Sequence, residues 1–130
     1  MRSTLVALFA ALLMIVPISA SQADLDTASP PPPPDGFELI VIEADGCTYC
    51  GLFRRDVLPA YETSKEGREM PARFVDVNNI ETAHLDFNAP VDIVPTFVVV
   101  KSRHEVGRIS GYVGPEDFFH SISYLLASAP

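Results

Sequence analysis

The two cysteines of this 130-residue chain stand three positions apart, as Cys47-Thr48-Tyr49-Cys50. A pair at this spacing can exchange disulfides, supply half of a zinc site or staple a turn. The segment before it, Phe37 to Glu43 (FELIVIE), reads as a buried strand, and the segment after it opens as a helix. Cys47 therefore falls near a helix N-terminus, where free N–H groups and the helix dipole favour a thiolate. Thiolate is the attacking species in disulfide exchange, and Cys50, one turn on, is within reach to resolve a mixed disulfide. A staple is a poor use of the spacing: closing so short a loop contributes about 2 kcal/mol, against about 4 for a 50-residue loop. Zinc would need further ligands, but no second CxxC exists and the histidines are scattered at positions 84, 104 and 120. The residues thus point to dithiol–disulfide chemistry, which requires no metal or organic cofactor.

Composition narrows the setting. With 17 acidic and 9 basic residues the formal charge is −8, which repels a phosphate backbone and argues against nucleic-acid binding. At 48% hydrophobic the chain is too apolar for disorder throughout, and its length allows one small domain. Arg2, the 12-residue apolar run Leu5 to Val16, then Pro17 and Ser21-Gln22-Ala23 read as a secretory signal peptide over residues 1–23. An uncleaved anchor is the competing reading, but the run is shorter than the roughly 18–20 residues of a spanning helix. Removing Arg2 with the leader takes the charge from −8 to −9. Residues 24–36, with Pro30 to Pro34, form a stiff linker in which five prolines span roughly 16 Å. Residues 37–130 form the domain.

The elements that must position the cysteines follow from pattern. Cys47 to about Glu66 reads as a helix, divided or kinked by Pro59 and stopped by Gly67. Ala72 to Val77 is a second strand, and Ile80 to Phe87 a short helix capped by Asn79. Thr96 to Val100 and His104 to Ile109 are strands joined by a tight turn at Lys101-Ser102-Arg103. Pro115 opens a last helix whose apolar face is Phe118, Phe119, Ile122, Leu125 and Leu126. The order β-α-β-α-β-β-α predicts an α/β domain. The first two strands should be parallel through a right-handed crossover and the last two antiparallel, giving a mixed four-stranded sheet with helices on both faces.

A CxxC at a strand-to-helix junction, followed by Val94-Pro95-Thr96 before an apolar strand, resembles the thioredoxin superfamily. The resemblance covers about residues 36–127 and implies the thioredoxin fold. It also implies a cis Pro95 against the sulfurs, a Val94 backbone offered to substrate, and a close approach of Gly111. Tyr49 would shape contact with substrate or cover the disulfide. Three segments are similar, more narrowly, to the periplasmic SoxS-type thioredoxins of bacterial sulfur-oxidation operons: Glu43 to Cys50, Glu66-Gly67-Arg68, and Glu105 to Tyr112. That similarity implies a periplasmic monomer that reduces a protein disulfide, in particular a thiol carrier of sulfur oxidation, and is recharged by a membrane thiol-electron donor.

The chain departs from cytosolic thioredoxins at the site. Thr48-Tyr49 replaces Gly-Pro, Val41 stands where those proteins have a buried aspartate, and Gly46 replaces a tryptophan. Deprotonation of Cys50 then needs another base or water, and Glu43 is the nearest acidic candidate for a proton shuttle. Arg54 and Arg55 are candidates to hold a thiolate, or plain solvated charges. Direction stays open, because reduction potential is not legible in sequence. The rival readings are a disulfide-forming oxidase and a non-catalytic binding module on the same fold.

Overall fold

The structure, a computed structural model, describes residues 36–130. The expected leader and nearly all of the proline-rich linker lie outside the described residues. Strand β1 (Phe37–Glu43) is followed by three short helices, α1 (Thr48–Asp56), α2 (Leu58–Thr63) and α3 (Lys65–Glu69). Next come β2 (Ala72–Asp76), a 3-10 helix (Val77–Ala83), β3 (Thr96–Lys101), β4 (His104–Ser110) and α4 (Pro115–Ser128).

The strand order is β2-β1-β3-β4. β1 runs parallel to β2 and antiparallel to β3, and β3 is antiparallel to β4. This is the expected mixed sheet. The β3–β4 connection is a two-residue turn in which Ser102 and Arg103 both have positive φ, 49° and 70°, the geometry whose twist matches antiparallel strands.

Side-chain alternation divides β1 and β3 between two layers. Leu39, Val41, Phe97 and Val99 face α1, α2 and α4, while Ile40, Ile42, Val98 and Val100 face the 3-10 helix and the segment after it. Three phenylalanines clamp the helical layer: Phe53 of α1, Phe97 of β3 and Phe118 of α4, with ring centroids 4.6 to 5.2 Å apart. Aromatic pairs in such tilted and edge-on geometries add to simple burial.

Two expectations change. The helix after Cys47 is in three pieces rather than one kinked rod. Pro59 has no amide to bond back along α1, so the chain breaks at Val57 and restarts with the proline in the first turn of α2. Ser64, extended at ψ 171°, makes the second break. Its Oγ accepts from the Gly67 amide at 3.0 Å and donates to the Tyr61 carbonyl at 2.7 Å. Gly67 therefore lies inside α3 rather than stopping a helix. The second correction is the element after β2. It is 3-10 rather than α, runs over Val77–Ala83 with a kink at the non-helical Asn79 (φ −125°, ψ 27°), and its first turn is capped by Asp76, because the Asp76 carboxylate accepts the Asn78 amide at 2.7 Å.

Gly67 is placed by crowding. A Cβ there would lie 2.0 Å from the Tyr61 carbonyl oxygen, which is backbone and cannot swing away. Helix propensity alone would make Gly67→Ala stabilising by up to about 1 kcal/mol. We expect the reverse, a loss of about 2 kcal/mol or more as α2 and α3 separate. Urea unfolding of the two proteins checks the sign.

Candidate active site

All four strands reach the same edge of the sheet at the site. Register pairs Glu43 with Asp76, Ile42 with Thr96, and Thr96 with Ser110. The C-terminal ends of β2, β1 and β4 and the start of β3 therefore lie side by side. The Ala44 to Gly46 bend carries the chain from β1 to α1, with the Cys47 amide donating to the Ala44 carbonyl at 3.2 Å.

Cys47 is the N-cap of α1, and its Sγ accepts the Cys50 amide at 3.1 Å. The sulfur takes the place of a capping oxygen at a helix start whose first turn holds no acidic residue. Cys47 and Cys50 are joined in a disulfide with Cα atoms 5.3 Å apart. Cys47 is half-buried, whereas Cys50 is 4% exposed.

The Val94–Pro95 peptide bond is cis. Pro95 is buried, Val94 half-buried, and the Gly111 amide donates to the Pro95 carbonyl at 2.8 Å. Gly111 has φ +84°, a conformation other residues rarely adopt. Tyr49 is 59% exposed beside the disulfide. The structure thus brings Pro95 and Gly111 together at the strand edge that also carries Glu43 and the cysteine bend.

A cavity of about 310 Å³ opens beside the disulfide, lined by Glu43, Asp45, Cys47, Cys50, Arg54 and Asp76 among others. Glu43 is not a free carboxylate: both its oxygens accept from Arg54, at 2.9 and 2.6 Å. The Arg54 guanidinium lies 3.7 Å over the Phe74 ring and is held above its ordinary pKa, mainly by the Glu43 hydrogen bonds, against the opposing effect of burial. Arg55 is paired with Asp56. Neither arginine is thus available to the sulfurs in this disulfide form.

Asp76 escaped the sequence reading as a site residue. Its signal was the parallel pairing of β1 with β2, which sets it opposite Glu43. Also missed was a polar clamp behind the Pro95 loop. Arg108 donates to Glu105 through two bonds of 2.6 Å and to the carbonyls of Ala89 and Pro90 at 2.9 and 3.0 Å. The Asn88 amide adds a bond to Glu105 at 2.8 Å. Among the described residues no group of three or more His, Cys, Asp or Glu is placed to hold a metal.

The sequence matches no family model and no curated protein. Among solved structures it is similar to the periplasmic thioredoxin SoxS from Paracoccus pantotrophus in its reduced form. The two are 30% identical over 70% of this chain and 96% of that one, with a TM-score of 0.67. The chain belongs to the thioredoxin superfamily. Thioredoxin from Fasciola hepatica is 28% identical over 69% of this chain and 81% of that one, TM-score 0.52. A thioredoxin h from poplar shares the fold at 22% identity, covering 72% and 79%, TM-score 0.53. The thioredoxin fold, together with a CxxC disulfide at the start of α1, makes this chain a thiol–disulfide oxidoreductase.

Two outcomes are expected from this geometry. After reduction, Cys47 should react with iodoacetamide at pH 6 at least tenfold faster than Cys50, since it is the more exposed sulfur and the one at the helix start; peptide mass spectrometry reads the ratio. The second concerns the clamp. Burial pushes the Glu105 carboxyl up, but the bonds from Arg108 and the Asn88 amide outweigh it and hold it below the ordinary carboxylate range. A depressed folded-state pKa stabilises above the unfolded value near 4.3 and is lost as pH falls through the lower, folded value. Glu105→Gln should therefore cost about 1–3 kcal/mol at pH 7. The gap to wild type should narrow below about pH 4 in urea titrations.

Proposed function

We propose that this thioredoxin-superfamily chain is an exported reductase of a partner protein's disulfide. The observation that carries the reading is the unequal placement of the two sulfurs, with Cys47 half-exposed as the cap of α1 and Cys50 buried one turn behind it. In the reduced protein the Cys47 thiolate attacks one sulfur of the partner disulfide. A mixed disulfide forms and a partner thiolate leaves. Cys50, deprotonated, attacks Cys47 Sγ and expels the second partner thiolate, so two electrons pass to the partner and the Cys47–Cys50 disulfide closes.

Glu43, which lines the cavity with Cys50, relays the Cys50 proton to solvent. The Val94 backbone at the cis Pro95 aligns the partner chain, Gly111 leaves room for it, and Tyr49 packs against it. Residues 1–23 are a cleaved leader, residues 24–36 a spacer, and the periplasm the working compartment. The likeness to periplasmic SoxS supports that placement, as does the leader-like start. Among the described residues no helix is long and apolar enough to cross a membrane. The partner is a thiol carrier of sulfur oxidation trapped as a disulfide, and a membrane thiol-electron donor returns the electrons.

In Cys50→Ser expressed in its own host, mixed disulfides on Cys47 should accumulate as dithiothreitol-sensitive adducts. Cys47→Ser should hold few. Mass spectrometry of the adducts names the partner, and adducts on Cys47→Ser alone would reverse the two roles. Equilibration of the pair with glutathione decides direction. A potential well below −120 mV, the oxidant end of the range, fits a reductase, and a value at that end makes the protein an oxidase.

A further inference from the structure

Charge is distributed unevenly between the two ends of the sheet. At the site end, Asp45 lies in the bend before Cys47, Asp76 ends β2, and Asp92 precedes Ile93-Val94-Pro95. Glu116 and Asp117 form the first turn of α4, immediately after the Gly111–Gly114 loop. None of these five carboxylates makes an ion pair among the described residues. Asp92 feels Arg108 at a distance, without direct contact. The two arginines of α1 are both neutralised, by Glu43 and by Asp56. Cations without a carboxylate partner stand at the other end: Arg103 in the β3–β4 turn and Arg68 just before β2.

The same end is apolar at its centre. Of the four exposed large hydrophobic residues described, three belong to segments flanking the disulfide: Tyr49, Ile93 and Val113, at 59%, 52% and 45% exposure. The surface a substrate must approach is thus an apolar centre ringed by uncompensated negative charge. Such a field draws cationic groups in and repels anionic ones, with a range set by ionic strength.

We infer that this rim selects partner polypeptides whose reactive disulfide is flanked by lysine or arginine and discriminates against acidic disulfides. The inference rests on the reductase reading above. The step itself is unchanged: two electrons and two protons pass from the Cys47–Cys50 dithiol to the disulfide, leaving two thiols.

Three small disulfides isolate the charge effect: cystamine (cationic), hydroxyethyl disulfide (neutral) and dithiodipropionate (anionic). Reduced protein is mixed with each, quenched by acid and alkylated, and the loss of free thiol is counted by mass. Each rate is divided by that of dithiothreitol on the same disulfide, which removes intrinsic reactivity. The corrected ratio of cystamine to dithiodipropionate should be about tenfold at low salt. It should fall towards one at 0.5 M salt, where the screening length is about 4 Å. Asp45→Asn/Glu116→Gln should cut the ratio at least threefold. Removing two charges far from the site, in Glu62→Gln/Glu69→Gln, should leave it. A ratio near one at low salt, or equal loss in both double variants, overturns the rim. Failure to reduce any of the three overturns the reductase reading and this inference with it.

Discussion

β1 is covered on both faces, and the site depends on that burial. Leu39, Ile40, Val41 and Ile42 are at most 1% exposed, so the strand needs a layer on either side and a neighbour on either edge. A strand so enclosed can release the chain only at its end. There the bend at Ala44 to Gly46 turns it directly into α1. Cys47 is consequently a helix cap as well as the outer sulfur of the disulfide, and that sulfur receives an amide that would otherwise lack a partner. The half-exposed and buried sulfurs differ because one precedes the helix and the other lies on the face that α1 turns to the core.

The two covering layers are built by different means. The helical layer is apolar, held by Phe53, Phe97 and Phe118 from three separate elements, with Tyr61 fully buried beside them. Burial pushes the Tyr61 hydroxyl pKa up, and it stays a donor to the Met70 carbonyl. The opposite layer holds one 3-10 helix and an irregular segment, so polar contacts take over. Asp86 bridges to β4 through backbone bonds to Arg103 and Glu105, and Arg108 gathers the carbonyls of Ala89 and Pro90. The loop that delivers Pro95 to the site is therefore fastened by hydrogen bonds at its start and by strand pairing at its end.

Strong periodicity made most of this legible. The bounds of β1 and the start of α4 are those read from the pattern, and the relative directions of β1 and β2 and of β3 and β4 follow from crossover handedness and one short turn; the antiparallel pairing of β1 with β3 is what the structure adds. The pieces that were not legible are those where a single hydrogen bond decides. Ser64 and Asp76 each accept an amide two or three residues on, and such local capping competes with regular helix on nearly equal terms. At the site, the cysteines and the Val94-Pro95-Thr96 motif could be found from spacing. Asp76, Glu105 and Arg108 could not: Asp76 stands opposite Glu43 only through the β1–β2 register, and the Glu105–Arg108 pair, three residues apart on β4, becomes a clamp only because the Asn88–Pro90 loop lies against it.

The apolar residue at position 41 has a physical corollary. Val41 belongs to the core cluster with Phe53 and Phe97 and is 1% exposed. A carboxylate there would be desolvated with no cation in reach, at a cost of several kcal/mol or a proton held to high pH. Valine removes that cost and leaves the carboxylates near Cys50 at the strand ends, on a cavity open to water. The Arg54–Glu43 pair on the Phe74 ring fixes one of them in position. The strand interior is thereby left to stability and the strand edge to chemistry. Burial near the disulfide falls on Cys50, Pro95, the apolar residues beneath them and Thr96, whose hydroxyl donates to the Ile93 carbonyl at 2.7 Å.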